Sequence, residues 1–411
     1  MNLAALLGAS LLLLPGSHGE PCGPDPEPYI RLVEDERGLR LELASRVFMD
    51  AREGAPLTTV TLVGAMHIAQ PLFYARTQAA LDLHDLVLFE QVREELPWDE
   101  LEGLSPTDLD HVLSTGRRME ALLQAAQDRD SVSTFALGDP PRQRMTASRF
   151  ERASTDAWGR PMELSVERKE GRLVRYTARS LGRDGEPGGE GVDADRQLDL
   201  EVRAGDPALR ALQSDLAEVL GWRFQLDEID ELGVRWRNSD LSMAELRRAL
   251  GGGDGQAREF ARFLEGGGGA LDELVRGGLR LLGASATIRE TLQLTVIEVL
   301  ARSEELFEVP PIGLGDLFEV IIEDRNRVVL DDLAGILERE PEAHSIGVFY
   351  GAGHLRELDR GLVSELGLSA IRTRWIPAVE LQWQSLSLSK QEIELIRVSI
   401  RETFEVGLGG R

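Results

Sequence analysis

Two short runs between residues 29 and 50 alternate apolar and charged positions: Ile30 and Leu32, then Leu39, Leu41 and Leu43. A period of two marks a strand with one covered face, and the pair predicts an opening hairpin. Thr58–Val63 is a β-branched run that stops at Gly64, Pro71–Leu83 has the Ala/Leu spacing of a helix, and Leu86–Phe89 is continuously apolar. Both strands are apolar enough for a sheet interior. Strand, helix and strand in this order predict a right-handed crossover between parallel neighbours.

The pattern loosens between residues 138 and 204, where Arg183–Gly191 reads as a mobile loop between strands at Arg172–Arg179 and Gln197–Val202. Residues 207–220 and 242–250 read as helices, the second capped by Ser239 or Asp240 ahead of Glu245. Gly251–Gly255 and Gly266–Gly269 break up a helical region reaching about residue 305, and a further helix covers roughly 314–339. Ser345–Tyr350 is an apolar strand run ending at Gly351, His354 starts the next helix, and Ala370–Leu381 closes the pattern as a strand. The expected fold class is α/β: a central mixed, largely parallel sheet flanked by helices, with a β-containing insertion and a helical middle region. The expected segments are 1–19 as a signal peptide, 20–137 as a first α/β half, 138–204 as the insertion, 205–345 as the helical middle and 346–411 as the closing half.

Composition narrows the function. The 411 residues carry a formal charge of −25, which argues against nucleic-acid binding through a basic surface. Leu3–Pro15 is an apolar run of 13 residues, short for a membrane span, and Ser17 and Gly19 suit a signal-peptidase cut before Glu20. No later apolar run reaches membrane length, so the expectation is an exported, soluble protein without a transmembrane segment. Cys22 is the only cysteine and excludes an intramolecular disulfide or a cysteine zinc site.

The candidate chemistry lies at two Gly-x-x-His sequences, Gly64–His67 and Gly351–His354, each behind an apolar strand in a chain of six histidines. A strand-end glycine lets the backbone turn and lets another group approach, and a histidine three residues on falls at the ligand-binding edge of an open α/β sheet. Gly353 belongs to the second turn. Glu90 directly follows Leu86–Phe89 and reaches the same edge, beside His67 if the two strands pair. Two imidazoles and a carboxylate suit Zn²⁺, Mn²⁺ or Co²⁺, which lowers the pKa of bound water and polarises a carbonyl.

Taken together, Leu62–Phe73 (LVGAMHIAQPLF), Val87–Arg93 (VLFEQVR), Glu323–Asp331 (EDRNRVVLD) and Gly347–Leu355 (GVFYGAGHL) resemble the TraB/Tiki family, related to the erythromycin-esterase and ChaN-like group. The resemblance implies a metal or catalytic centre at His67, Glu90 and His354, and a metal-dependent hydrolase acting on a peptide or another amide or ester. It matches Arg325 to the family's arginine ahead of the last motif. A guanidinium there would hold a substrate carboxylate or an oxyanion, with Arg93 and Asn326 as further substrate-binding candidates.

Plainer readings stand beside these. His67 and His354 also suit helix caps or a core, Glu90 a salt bridge with Arg325, and Asp227 and Asp240 turns or caps. His84, His111 and His344 read as surface residues. Ligand and base are not assigned separately, with Glu90 the first candidate for a general base in place of a ligand. A non-catalytic protein that sequesters a peptide or haem, with His67 or His354 as axial ligand, is the alternative; a metal-free hydrolase is a third reading.

Overall fold

The computed structural model describes residues 26–50, 58–98, 101, 103–135, 149–169, 172–201, 216–249, 285–302 and 319–409. The predicted signal peptide, Cys22, and both glycine runs of the middle region lie outside them. The chain divides into two compact units, one of Met1–Arg93, Pro207–Glu228 and Asn238–Arg411, the other of Glu94–Asp206 and Ile229–Arg237.

The first unit is built on the predicted hairpin, β1 (Ile30–Glu34) and β2 (Gly38–Asp50), followed by β3 (Thr59–Ala65), α1 (Pro71–Leu81) and β4 (Leu86–Phe89). Later come α2 (Met243–Ala249), α3 (Ala286–Leu300), α4 (Arg325–Arg339), β5 (Ser345–Gly351), α5 (Leu355–Ser364), β6 (Leu368–Gln382) and α6 (Lys390–Gly409). A turn of π-helix, Glu319–Asp324, leads into α4. The sheet of this unit runs β1-β2-β3-β5-β4, with β6 on the other side of β2. Pairing is antiparallel among β1, β2, β3 and β6, and parallel for β3 with β5 and β5 with β4. The α/β expectation of a mixed sheet flanked by helices holds.

One expectation changes. β3 and β4 are parallel but not neighbours, because β5 from the far end of the chain lies between them. Its run Ile346-Gly-Val-Phe-Tyr350 is buried throughout, and a strand that apolar gains most from a place with partners on both sides.

Side chains alternate across this sheet. Val60, Leu62, Leu86, Leu88, Ile346, Val348 and Tyr350 share a core with Val329, Leu330, Leu333 and Ile336 of α4 and Leu355, Leu358 and Leu362 of α5. The helical residues recur three and four apart, giving each helix one apolar stripe. Each such side chain contributes roughly 1.5–3 kcal/mol on burial. The two helices meet closely at Gly361, where a Cβ would come within 2.4 Å of Leu330 Cδ1.

Beyond the closing strand, α6 is an addition to the predicted elements. A capping box starts it: Ser389 Oγ accepts from Glu392 N, and Glu392 Oε2 accepts from Ser389 N. Arg397 and Arg401 of α6 reach the fully buried Glu298 of α3. A second buried network ties the hairpin to α5. Arg46 donates to Asp359, Tyr29 Oη donates to the same carboxylate at 2.8 Å, and the guanidinium lies 4.3 Å over the Tyr29 ring.

The second unit contains a 30-residue helix, Pro106–Phe135, and an antiparallel sheet of Glu163–Lys169, Arg172–Ser180 and Arg196–Glu201. Met119, Leu122, Tyr176 and Ala178 lie in its core. The first strand is absent from the predicted pattern because most of it is exposed and carries no apolar alternation. The loop predicted to be mobile is internally bonded, with Arg183 pairing with Asp193 and Asp195 N donating to the Gly188 carbonyl.

Removing Asp359 would take the nearest carboxylate from a guanidinium that is only 3% exposed, leaving it the Glu27 carboxylate at 3.7 Å. Asp359→Ala is expected to destabilise the protein by about 3–5 kcal/mol in urea unfolding; a loss under about 1 kcal/mol would contradict this account.

Candidate functional site

Strand register brings the two Gly-x-x-His sequences together. Gly64 pairs with Tyr350 and Ala65 with Gly351, so the chain leaves β3 and β5 at the same level on adjacent parallel strands. Ala352 N then donates to the Ala65 carbonyl at 3.2 Å. On the other side of β5, Phe349 pairs with Phe89, and Glu90 N donates to the Phe349 carbonyl. Glu90 is therefore beside Gly351, one strand further from His67 than the simple pairing of β3 with β4 predicts.

Glu90 is held by two donors from distant segments. Oε1 accepts from Arg325 Nη2 at 2.7 Å, and Oε2 accepts from Gly351 N at 2.6 Å. A Cβ on Gly351 would lie 2.9 Å from Oε2, so the missing side chain provides the space for the carboxylate. The glycines of the two motifs do not turn the chain through a left-handed conformation: none of Gly64, Gly351 and Gly353 has a positive φ. Gly64 is inside β3, where an added Cβ would sit 3.3 Å from Leu43 Cβ, and Gly353 lies in the turn before α5.

Arg325 opens α4, directly after the π-helical turn. Its Nε and Nη2 donate to Asp240 Oδ1 and Oδ2 at 2.8 and 2.7 Å, a two-point pairing, while Nη2 also serves Glu90. Asp240 is thus an ion-pair partner and not the cap of α2. That cap is Ser242, whose Oγ accepts from Glu245 N while Glu245 Oε2 accepts from Ser242 N. Burial, helped by the neighbouring Glu90, outweighs the pull of the Arg325 guanidinium and leaves the Asp240 carboxyl above its ordinary value. Arg325 thus anchors Glu90 and Asp240, the salt bridge that the plainer reading of Glu90 expects.

His354 is 5% exposed and occupies the N-cap position of α5, but its side chain makes no cap hydrogen bond. The ring stands edge-on to Tyr350, with centroids 5.1 Å apart, and Tyr350 Oη donates to the Ser239 carbonyl. Nδ1 lies 2.9 Å from Asn326 Oδ1, and Nε2 lies 3.7 Å from Glu90 Oε1. Asn326, expected to contact substrate, is buried against His354. Arg93 bonds the Gln91 side chain and lies 5.5 Å from the Phe89 ring centroid.

His67 differs from its counterpart. It falls in a bend before the two-residue strand Ile68–Ala69, not at the start of α1, and its carbonyl accepts from Gln225 N. Its side chain is solvent-exposed, yet desolvation lowers its pKa, opposed by Glu90 and aided by Arg325. Its mutual influence with Glu90 places it within electrostatic reach of that carboxylate.

These surroundings set the charges. Burial raises the Glu90 carboxyl, but Arg325, His354, His67 and the Gly351 N–H together outweigh it and hold it at about 2. Burial lowers His354 to about 4, against the attraction of Glu90 and with the help of Arg325. At neutral pH the centre therefore presents an ionised carboxylate and a neutral imidazole.

As metal donors these protonation states are suitable, and 3.7 Å between His354 Nε2 and Glu90 Oε1 admits bonds of roughly 2 Å to one ion. Among the described residues, no group of three or more His, Cys, Asp or Glu side chains is assembled to hold a metal. No helix of the described residues is long and apolar enough to cross a membrane. No protein-family model matches the chain, and no curated protein or solved structure matches it either.

Asp240 and Tyr350 are the members of this centre that the sequence reading passes over. Tyr350 is the polar-tipped end of an apolar strand, and a buried phenol needs a partner. Asp240 follows Asn238 and Ser239 in a polar cluster that equally suits a turn.

Two measurements follow. Gly351→Ala is expected to displace the Glu90 carboxylate, cost about 1–3 kcal/mol and raise the Glu90 titration seen by carboxyl NMR; an unmoved titration would show that the N–H and the space do not hold it. The His354 displacement from 6.5 to about 4 corresponds to roughly 3 kcal/mol. The unfolded chain takes up this proton first, so stability is expected to fall as pH drops from about 6.5 to 4. Glu90 contributes its own loss from about 4.5 towards 2. Urea unfolding of His354→Gln should show a flatter profile across the first window than the parent protein.

Proposed function

We propose that this chain is an exported hydrolase of the TraB/Tiki type, acting on a peptide or another amide or ester bond. The observation that carries the reading is the facing of His354 Nε2 and Glu90 Oε1 across 3.7 Å. With a neutral ring and an ionised carboxylate, both atoms accept protons. Such a pair suits an attacking water whose proton goes to the imidazole as its oxygen adds to the scissile carbonyl carbon. The imidazolium then returns the proton to the leaving amine or alcohol. Glu90 is the poorer base, since its carboxyl is held at about 2, and it suits steadying the water and the imidazolium.

His354, Glu90 and His67 would hold a divalent ion, which when bound would lower the pKa of water and polarise the carbonyl. Export rests on the N-terminal apolar run Leu3–Pro15. A second reading, a metal-free hydrolase, is favoured by one specific observation. Each oxygen of Glu90 already has a protein donor, which makes the carboxylate a better anchor than ligand.

The test combines metal content after purification with cleavage of a peptide library by the parent protein and His354→Ala. Activity should fall about 10²–10⁴-fold in the variant. Equal activity in both would sink the hydrolase proposal, and parent activity that survives chelation would select the metal-free reading.

A further inference from the structure

Asn326 is buried on the otherwise apolar stripe of α4 that continues through Val329, Leu330, Leu333 and Ile336. A polar side chain in such a place must find partners for both halves of its amide. Nδ2 lies 3.4 Å from the His354 carbonyl and 3.4 Å from Glu357 Oε2. Both are acceptors, so the NH₂ faces them and the amide orientation is determined. The other end, Oδ1, accepts only, and it lies 2.9 Å from His354 Nδ1. Nδ1 must therefore carry the single hydrogen of the neutral ring, which leaves the lone pair on Nε2. Free neutral imidazole prefers the reverse arrangement, with hydrogen on Nε2, so the ring needs this partner to expose that nitrogen.

We propose that Asn326 is a positioning residue: its amide, oriented by Glu357 and the His354 carbonyl, selects the Nδ1–H tautomer and makes Nε2 the proton acceptor beside Glu90. The chemistry rests on the hydrolase reading above, but the tautomer is measurable without any substrate. It also gives α4 a second task at this sheet edge. The helix brings Arg325 to Glu90 and, one residue later, Asn326 to His354, so consecutive side chains set the charge of one group and the tautomer of the other.

The experiment is a long-range ¹⁵N–¹H correlation spectrum of the full chain, chelator-treated and at pH 7.5. It is recorded for the parent protein, Asn326→Asp and Asn326→Leu, with His354→Gln to assign the ring. The parent and Asn326→Asp are expected to show the Nδ1–H pattern, because an aspartate oxygen still accepts from Nδ1. Asn326→Leu is expected to move towards Nε2–H. In peptide cleavage, Asn326→Leu should lower kcat at least tenfold with little change in KM, and Asn326→Asp should restore most of it. An Nε2–H pattern in the parent, or an unchanged Nδ1–H pattern in Asn326→Leu, would overturn the proposal. Should Asn326→Leu not fold, an Nε2–H pattern in either remaining protein still overturns it, and Nδ1–H in both supports it. The expected tautomers without cleavage by any of the proteins would remove the hydrolase reading and leave the positioning role intact.

Discussion

A carboxylate at the end of an apolar strand is costly until something compensates its charge, and the candidate site is organised around how Glu90 meets that demand. Its donors are the Arg325 guanidinium, 235 residues away in sequence, and the Gly351 backbone, 261 residues away. Neither donor is in place until β5 lies between β3 and β4. The sheet order and the ion pair therefore depend on each other: inserting β5 brings Gly351 beside Glu90 and lines up both Gly-x-x-His sequences at one sheet edge. Packing α4 on the same sheet brings Arg325 to the carboxylate and Asn326 to His354.

The charges of the centre follow from that assembly. One permanent cation sits between two carboxylates, Glu90 and Asp240, and its pull helps hold Glu90 at about 2 despite burial. Once Glu90 is anionic and the surroundings are dry, His354 is pulled two ways. Desolvation prevails and the ring stays neutral. The same two residues then differ in role, the carboxylate fixed and the imidazole able to take a proton. His67 stands apart from them as the exposed member of the group.

Much of this was legible along the chain. Alternation marked β1 and β2; the apolar runs marked β3, β4 and β5; and the repeated Gly-x-x-His sequences together with Glu90 marked the sheet edge that carries the candidate site. Other parts carried equally local information that the apolar pattern does not register. Ser389-Lys-Gln-Glu392 announces the start of α6 by its capping box, and Ser242-Met-Ala-Glu245 does so for α2 in place of Ser239 or Asp240. Asn326 interrupts the apolar stripe of α4, which marks a buried polar group in need of a partner but does not say which one.

Sequence by itself determined the elements, their buried faces and the residue types at the edge, because strand and helix periods and side-chain chemistry are properties of short stretches. Only the tertiary structure decided that β5 separates β3 from β4, that Asp240 pairs with Arg325, and that Asn326 meets the histidine. Those outcomes depend on which distant groups satisfy one another's charge and hydrogen bonds in a dry interior, and no local pattern encodes that choice. The motif histidines look equivalent in the sequence. Burial and partners make one of them a neutral ring bonded to Asn326 and leave the other exposed.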